Sequence, residues 1–132
     1  MLAPEKLLDK LLNMQDKHLF NCPCCGLPTL NERSVFEICT VCWWEDDGQD
    51  DDNAEHVLGG PNGKYSLSTA RKNFILHGHM YNKGEGIRVV ENPTIERSKL
   101  VKFVFREVAG HAQFDRRQFY KLLIASDNSR RD

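Results

Sequence analysis

The sequence lacks a long apolar run. No stretch reaches the length of about 18 apolar residues that a membrane-spanning helix needs. The opening residues also lack a secretory signal pattern, because charged side chains interrupt the apolar ones from Glu5 onward. We therefore expect a cytoplasmic protein. In that reducing compartment clustered cysteines are more often metal ligands than disulfides, and a count of five leaves one beyond the four that a metal takes.

Basic residues are missing from the middle of the chain. Residues 34–63 contain eight acids and no Lys or Arg, whereas residues 64–132 contain fourteen bases and seven acids. This separation indicates either that the two regions neutralise each other or that one face binds a charged partner. No Ser-His-Asp order, phosphate-binding glycine loop or paired-carboxylate arrangement is found, so we expect a protein that is not an enzyme.

Hydrophobic periodicity predicts several helices and little strand. Helices are predicted at residues 4–17, 67–77, 95–108 and 113–125. Ser66 is the expected N-cap of the second, and Gly78 its expected end. Residues 95–108 also fit a strand by alternation, but their length favours a helix. Strands are predicted near residues 19–20, in a hairpin over residues 29–38 and around residues 87–90, and the tail from Ser126 is expected to fray.

Two Cys-x-x-Cys pairs, separated by thirteen residues, predict a metal site with the ligands Cys22, Cys25, Cys39 and Cys42. Each pair can direct two thiolates at one point, and four sulfurs form the tetrahedral shell of structural zinc. Iron remains an alternative, whereas a redox dithiol would need one pair beside a βαβ pattern that is absent. Four protein ligands leave no position for water, so we expect a structural Zn²⁺. Cys24 is interpreted as a spare thiol, with a ligand or redox-sensing role as the alternative.

The segments Cys22-Pro23-Cys24-Cys25-Gly26 and Val35-Phe36-Glu37-Ile38-Cys39-Thr40-Val41-Cys42-Trp43-Trp44-Glu45-Asp46-Asp47-Gly48 resemble the cysteine-rich CPCC family of small, mostly bacterial proteins. Asn62-Gly63, Leu67, Ala70-Arg71 and Asn73-Phe74 extend the resemblance, which covers residues 20–78. The chain departs from the family's usual residues at Thr40, where Pro is common, and at Trp43, where another aromatic is common. Neither departure affects a sulfur.

The resemblance implies a zinc-ribbon-like β-hairpin module with flanking helices, and hence an α+β fold. We expect one domain over residues 1–132, with the module at 20–78 and a helical extension at 80–132. The family is largely uncharacterised. Bacterial polymorphic-toxin loci carry many small proteins of this kind as immunity factors, which makes an immunity-type toxin inhibitor our preferred hypothesis for function.

An acidic run follows the second cysteine pair, and we predict that it binds a basic protein, such as the cleft of a nuclease toxin. The predicted partner-binding residues are Trp43, Trp44, Glu45, Asp46, Asp47, Asp50, Asp51 and Asp52. The alternatives are a solvated acidic loop and a calcium loop, although the latter lacks the Glu expected at its twelfth position. The two tryptophans either pack over the cysteine turns and the helix at 67–77, or one is an exposed anchor.

Nucleic-acid binding through the basic C-terminal half is the second functional hypothesis. Its candidate residues are Arg71, Lys72, Arg97, Lys99, Lys102, Arg116, Arg117 and Lys121. They lack the interleaved aromatics of a base-stacking surface, which favours solvated helix faces. A third hypothesis is a redox sensor that uses Cys24. A second metal site at His77 and His79 is disfavoured, because histidines two residues apart across a helix end rarely converge.

Overall fold

The computed structural model of the chain describes residues 19–109 and 114–130. They fall into two compact units, of which the first ends at Glu91 and the second begins at Asn92. The helix predicted at residues 4–17 lies outside the described residues, and the arrangement of the chain as one domain stays a prediction. None of the helices in the described ranges has the length and hydropathy that crossing a bilayer requires.

The first unit opens with a small antiparallel hairpin. Strand β1, Phe20–Asn21, pairs with strand β2, Pro28–Leu30, so that the hairpin encloses the first cysteine pair. A second, shorter pairing joins Ile38 to Glu45 and encloses the second cysteine pair. This confirms the strand near residue 20 and the α+β fold with a zinc-ribbon-like cysteine cluster.

The hairpin predicted over residues 29–38 is wrong. Residues 28–30 pair backward with β1, and residues 36–38 pair forward with residues 44–46. The segment between them is held locally, because the Glu37 carboxylate accepts hydrogen bonds from the Asn31 backbone and side chain. Alternation in a short sequence identifies extended segments but not their pairing partners.

Helix α1, Leu67–His77, has the predicted bounds. The Ser66 hydroxyl accepts a hydrogen bond from the Thr69 N–H, and the helix ends at Gly78 in the left-handed conformation. Leu67, Ala70 and Phe74 form its buried face. The loop before it contains two 3-10 turns, Asp51–Asn53 and Gly60–Asn62.

Residues 88–91 form a single helical turn, α2, Arg88–Glu91, so the strand predicted there is wrong. The Ile87 carbonyl accepts hydrogen bonds from the N–H groups of Val90 and Glu91, which closes the turn. Only Val90 of the three apolar residues in this segment is buried. A short apolar run fits a strand and a helical turn equally well by periodicity.

In its described residues, the second unit contains helices α3, Ile95–Ala109, and α4, Arg116–Ser129, which pack against each other. Their shared core contains Leu100, Val104, Phe119 and Leu123. The prediction of helix for residues 95–108 is confirmed. The fourth predicted helix exists but begins and ends later, and Asp115 caps it by accepting a hydrogen bond from the Gln118 N–H.

Fraying from Ser126 is not observed, and the final turn of α4 is fixed by its own hydroxyls. The Ser129 hydroxyl donates to the Ser126 carbonyl at 2.7 Å and lies 2.7 Å from the Thr94 hydroxyl. Ser126 itself is buried at 3% exposure. Contact with Thr94, 35 positions earlier in the chain, therefore helps to hold the helix beyond its predicted end.

Candidate metal centre

The two cysteine pairs lie in turns of the same geometry. In the first turn, the Gly26 N–H donates to the Cys22 carbonyl at 2.8 Å, and the Cys22 N–H donates to Leu27 at 2.8 Å. In the second turn, the equivalent bonds run from Trp43 to Cys39 at 2.7 Å and from Cys39 to Trp44 at 2.9 Å. Both turns thereby direct two cysteine side chains to the same side, with a left-handed residue after the second cysteine.

The four predicted cysteine ligands meet at one point. The sulfurs of Cys22, Cys25, Cys39 and Cys42 all lie within 4.8 Å of one another. The Cys22 and Cys42 sulfurs are 3.6 Å apart, and those of Cys25 and Cys39 are 3.7 Å apart. A tetrahedron with metal–sulfur bonds of about 2.3 Å has edges of about 3.8 Å, so the spacing fits a single ion. The cluster can therefore hold one metal.

Burial makes four negative charges costly in this cluster without a cation. It raises the pKa of Cys25 and of Cys42 well above the ordinary value for a thiol. Burial acts the same way on Cys39, but hydrogen bonds from the neighbouring thiols and from the Thr29 hydroxyl outweigh it and lower the Cys39 pKa. The Thr29 hydroxyl donates to the Cys39 sulfur at 3.1 Å. The thiolates therefore need a compensating cation, which a bound metal supplies.

Cys24 lies beside the cluster and is not one of the four convergent ligands. It is buried at 8% exposure. A hydrogen bond with the Cys42 thiol lowers its pKa, but burial and the neighbouring cysteines outweigh that bond and raise it. All five cysteines are free. The redox role stays a prediction.

The prediction that Asp46 belongs to the partner surface is wrong, because its side chain is fully buried. Its carboxylate accepts hydrogen bonds from Arg33 Nε at 2.7 Å, the Ser34 N–H at 2.8 Å and the Gly48 N–H at 3.2 Å. The same prediction is wrong for Trp44, which has 0% exposure and whose backbone carbonyl closes the second cysteine turn. Both side chains serve the interior and are inaccessible to a partner.

Other acids of the run also have structural roles. Asp50 binds Arg33 at 3.0 Å and caps the first 3-10 turn, while Asp47 accepts hydrogen bonds from the Gln49 N–H and the Asn62 amide. Arg71 donates to the Pro23 carbonyl and to the Asp51 carboxylate, both at 2.8 Å. Arg33 and Arg71 thus neutralise part of the acidic run.

Several predicted acids remain accessible. Asp51 and Asp52 are exposed, as is Glu55 just beyond them, while Glu45 and Asp47 are half-buried. Trp43 is also half-buried. The accessible part of the predicted partner surface is therefore Trp43, Glu45, Asp47, Asp51 and Asp52, with Asp50 half-buried in its ion pair.

Some of the predicted basic and histidine residues are also engaged within the fold. Arg97 is buried at 3% exposure, and Arg71 is engaged by the acidic run, so neither lies on an open basic surface. His77 Nε2 lies 2.7 Å from the Tyr81 carbonyl, and His79 Nδ1 accepts a hydrogen bond from the Tyr81 N–H. Both histidines brace the turn after α1. In the described part of the chain, no group of three metal-binding side chains includes them.

The sequence reasoning missed Thr29 and the structural role of Arg33. Thr29 is recognised only when β2 brings it to Cys39, and no local pattern marks it. The role of Arg33 could have been recognised in the sequence, because Arg33 is the last Lys or Arg before residues 34–63, whose Asp and Glu side chains have no Lys or Arg among them. Such a residue is a candidate for pairing with the acids that follow it.

A model of the family described as Cysteine-rich CPCC matches residues 20–96, which is more than half of the chain. The match extends beyond residue 78, where the recognised sequence resemblance ended, and it includes the whole of the first unit from β1 onward. No curated protein and no solved structure matches the chain.

Proposed function

Because the chain belongs to the cysteine-rich CPCC family, we propose that it is a zinc-stabilised, non-catalytic binding protein, and specifically an immunity-type inhibitor of a bacterial toxin. One observation carries this proposal: a closed four-sulfur cluster lies in the same compact unit as accessible carboxylates of an acidic run. The cluster supplies a scaffold, and the carboxylates supply a recognition surface that a basic partner would complement.

Zinc is the metal that the cluster fits best. Four cysteine sulfurs at tetrahedral spacing are typical of structural zinc sites, and zinc binding contributes directly to folding in such small modules. Iron is the competing ion. Elemental analysis of the purified protein should find one zinc per chain, and stoichiometric iron in its place would refute the assignment.

The ligand count supports a non-catalytic role for the metal. With four cysteines bound, the metal has no open position for water or substrate, so it cannot activate either one. Cysteines that cluster as metal ligands are typical of the reducing cytoplasm, where an immunity protein would meet its toxin.

The acidic surface accounts for the choice of partner. Residues 34–63 have no Lys or Arg, and Asp51, Asp52 and Glu55 are exposed. Such a surface accelerates and orients association with a basic protein, and added salt weakens the effect. The cysteine cluster with a divalent ion is formally −2, because four thiolates outweigh the metal's charge, and this adds to the field.

The test is binding to the protein encoded by the neighbouring gene, measured by calorimetry at several salt concentrations. The double variant Asp52→Lys with Glu55→Lys should weaken binding by about tenfold or more, because it reverses two accessible charges. Reversal of Asp46 is unsuitable, since that residue is structural. Glu96→Lys, on an exposed helix residue of the second unit, is the matched control. Equal affinity of both variants would contradict the acidic surface.

One observation favours nucleic-acid binding as a second candidate. Lys99, Lys102 and Arg106 are exposed on α3 at spacings of three and four residues, so they form one basic stripe. A gel shift with single- and double-stranded DNA and RNA would test it. A shift that fades as salt rises and is lost in Lys99→Gln with Lys102→Gln, but not in Lys64→Gln, would support it. No shift at low salt would dismiss it.

A further inference from the structure

The hairpin around the second cysteine turn, residues 36–46, has buried and accessible side chains in alternation. Cys39, Trp44 and Asp46 have 0% exposure. Ile38 is 40% exposed, Glu45 lies directly opposite it, and Trp43 is half-buried. Phe36, at the open end of the hairpin, is 56% exposed. One set of side chains is thus buried, and the other set presents apolar groups to solvent.

Phe36 occupies a backbone position that normally takes glycine. Its φ is 63°, in the left-handed region where a bulky side chain is an outlier. The Phe36 N–H donates to the Asp46 carbonyl at 2.9 Å, and the Asp46 N–H donates to the Glu37 carbonyl at 3.0 Å. Two residues of one strand therefore oppose Asp46, which is a β-bulge of the type whose first residue is usually glycine.

Trp43 occupies a second position of this kind. Its φ is 74°, and the equivalent residue of the first cysteine turn is Gly26, with φ of 79°. The hydrogen bonds around both residues are equivalent, so the backbone at Trp43 has the same requirement as at Gly26. Two aromatic side chains therefore stand at glycine-type positions on one hairpin, and the strain at Phe36 is not offset by burial. Strain that stability does not explain is typical of functional sites.

We propose that Phe36 and Trp43, with Ile38 between them, form a docking surface for a protein partner that has an apolar pocket bordered by Lys and Arg. This inference rests on the proposed binding function and identifies the contact residues. Glu45, opposite Ile38, is half-buried and borders this surface, whereas the half-buried carboxylate of Glu37 is held by Asn31. Aromatic side chains ringed by polar groups are the usual hot spots of interfaces.

The charge of the hairpin favours a basic protein over a second copy of the chain as the partner at this surface. The hairpin carries carboxylates among its apolar groups, and the chain has no Lys or Arg from residue 34 to residue 63. A second copy of the chain docked on the same surface would place carboxylates against carboxylates, which is unfavourable at an interface. A partner with basic residues around its pocket complements both the apolar groups and the charge.

The first experiment uses the purified, zinc-saturated protein alone. Phe36→Gly and Trp43→Gly remove the aromatic rings and relieve the left-handed conformation, while Phe36→Ala removes the ring and keeps the strain. The glycine variants should melt within about 4 °C of the unchanged protein, with Phe36→Ala below Phe36→Gly. A larger loss in the glycine variants would show that the rings stabilise the fold, and it would overturn the docking role.

The second experiment identifies the partner. A photo-crosslinking amino acid, p-benzoylphenylalanine, replaces Phe36 in the full chain, expressed in cells of its native host. The control replaces Ile75, which is 74% exposed on α1 of the same unit. The docking surface is supported if a basic protein crosslinks to position 36 but not to position 75. In purified form, that protein should then bind the Phe36→Gly variant about tenfold more weakly than the Ile75→Ser variant. Crosslinking to a second copy, to nucleic acid or from position 75 alone would overturn it.

The two proposals fail in different ways. If the purified partner binds Phe36→Gly normally but loses affinity for Asp52→Lys with Glu55→Lys, the docking surface is wrong and the acidic binding function stands. If neither position 36 nor position 75 captures a basic protein, and the neighbouring gene product does not bind, both proposals are wrong.

Discussion

Asp46→Ala tests whether the first aspartates of the acidic run hold the fold. The substitution leaves the N–H groups of Ser34 and Gly48 without an acceptor and removes one of two carboxylates from Arg33. Two backbone bonds at about 1 kcal/mol each and one charge-assisted bond at about 2 kcal/mol give about 4 kcal/mol. Arg33 is 29% exposed and keeps Asp50, so we expect a loss of about 3 kcal/mol in the free energy of unfolding.

Urea unfolding of the zinc-saturated protein, followed by tryptophan fluorescence, measures this loss. Asp52→Ala is the matched control, because Asp52 is an exposed acid of the same run, and it should change the free energy by less than about 0.5 kcal/mol. A loss below about 1 kcal/mol for Asp46→Ala would refute the reasoning. It would mean that water or backbone adjustment replaces the three hydrogen bonds.

Three further predictions concern the metal, a turn and pH. A strong chelator should unfold the first unit and abolish its near-ultraviolet circular dichroism, and added zinc should restore both the fold and the spectrum. If the chelated protein keeps its spectrum, the metal is not structural. Gly26→Ala should lower the free energy of unfolding by about 1 kcal/mol through its φ of 79° alone, since no heavy atom other than those of its chain neighbours lies within 4 Å of the added carbon. An unchanged urea midpoint would contradict this. The Asp51 N–H and the Arg33 guanidinium lower the pKa of Asp50, so its stabilisation is present above the ordinary carboxyl pKa and is lost as pH falls through the lowered value. Asp50→Asn should therefore flatten the dependence of the urea midpoint on acidic pH, and parallel curves for the two proteins would refute that assignment.

The acidic run thus has two roles in the structure. Its early members, Asp46, Asp47 and Asp50, accept hydrogen bonds from backbone N–H groups, an amide and Arg33, and so shape the loop after the second cysteine turn. The following residues, Asp51 and Asp52, are exposed. Charge reversal aimed at the whole run would therefore confuse loss of folding with loss of binding.

Local signals in the sequence determined much of the first unit. The spacing of two Cys-x-x-Cys pairs predicted the four convergent sulfurs, and Ser66 and Gly78 predicted both ends of α1, because ligand spacing and helix capping act over a few residues. The separation of charge was also visible in the sequence. What the charges do was not, since Arg33 and Asp46 lie thirteen positions apart and meet only through the hairpin.

Only the tertiary structure decided which neighbouring residues face inward. Trp43 and Trp44 are adjacent and chemically identical, yet one is accessible and the other has 0% exposure. Trp43 has the left-handed conformation of the cysteine turn, whereas the backbone of Trp44 pairs with Cys39, so the turn and the pairing register together set the burial of each residue. That register depends on which segments pair, and the sequence alone had placed the hairpin at residues 29–38. The glycine-type positions of Phe36 and Trp43 follow from the same pairing and had no signal of their own.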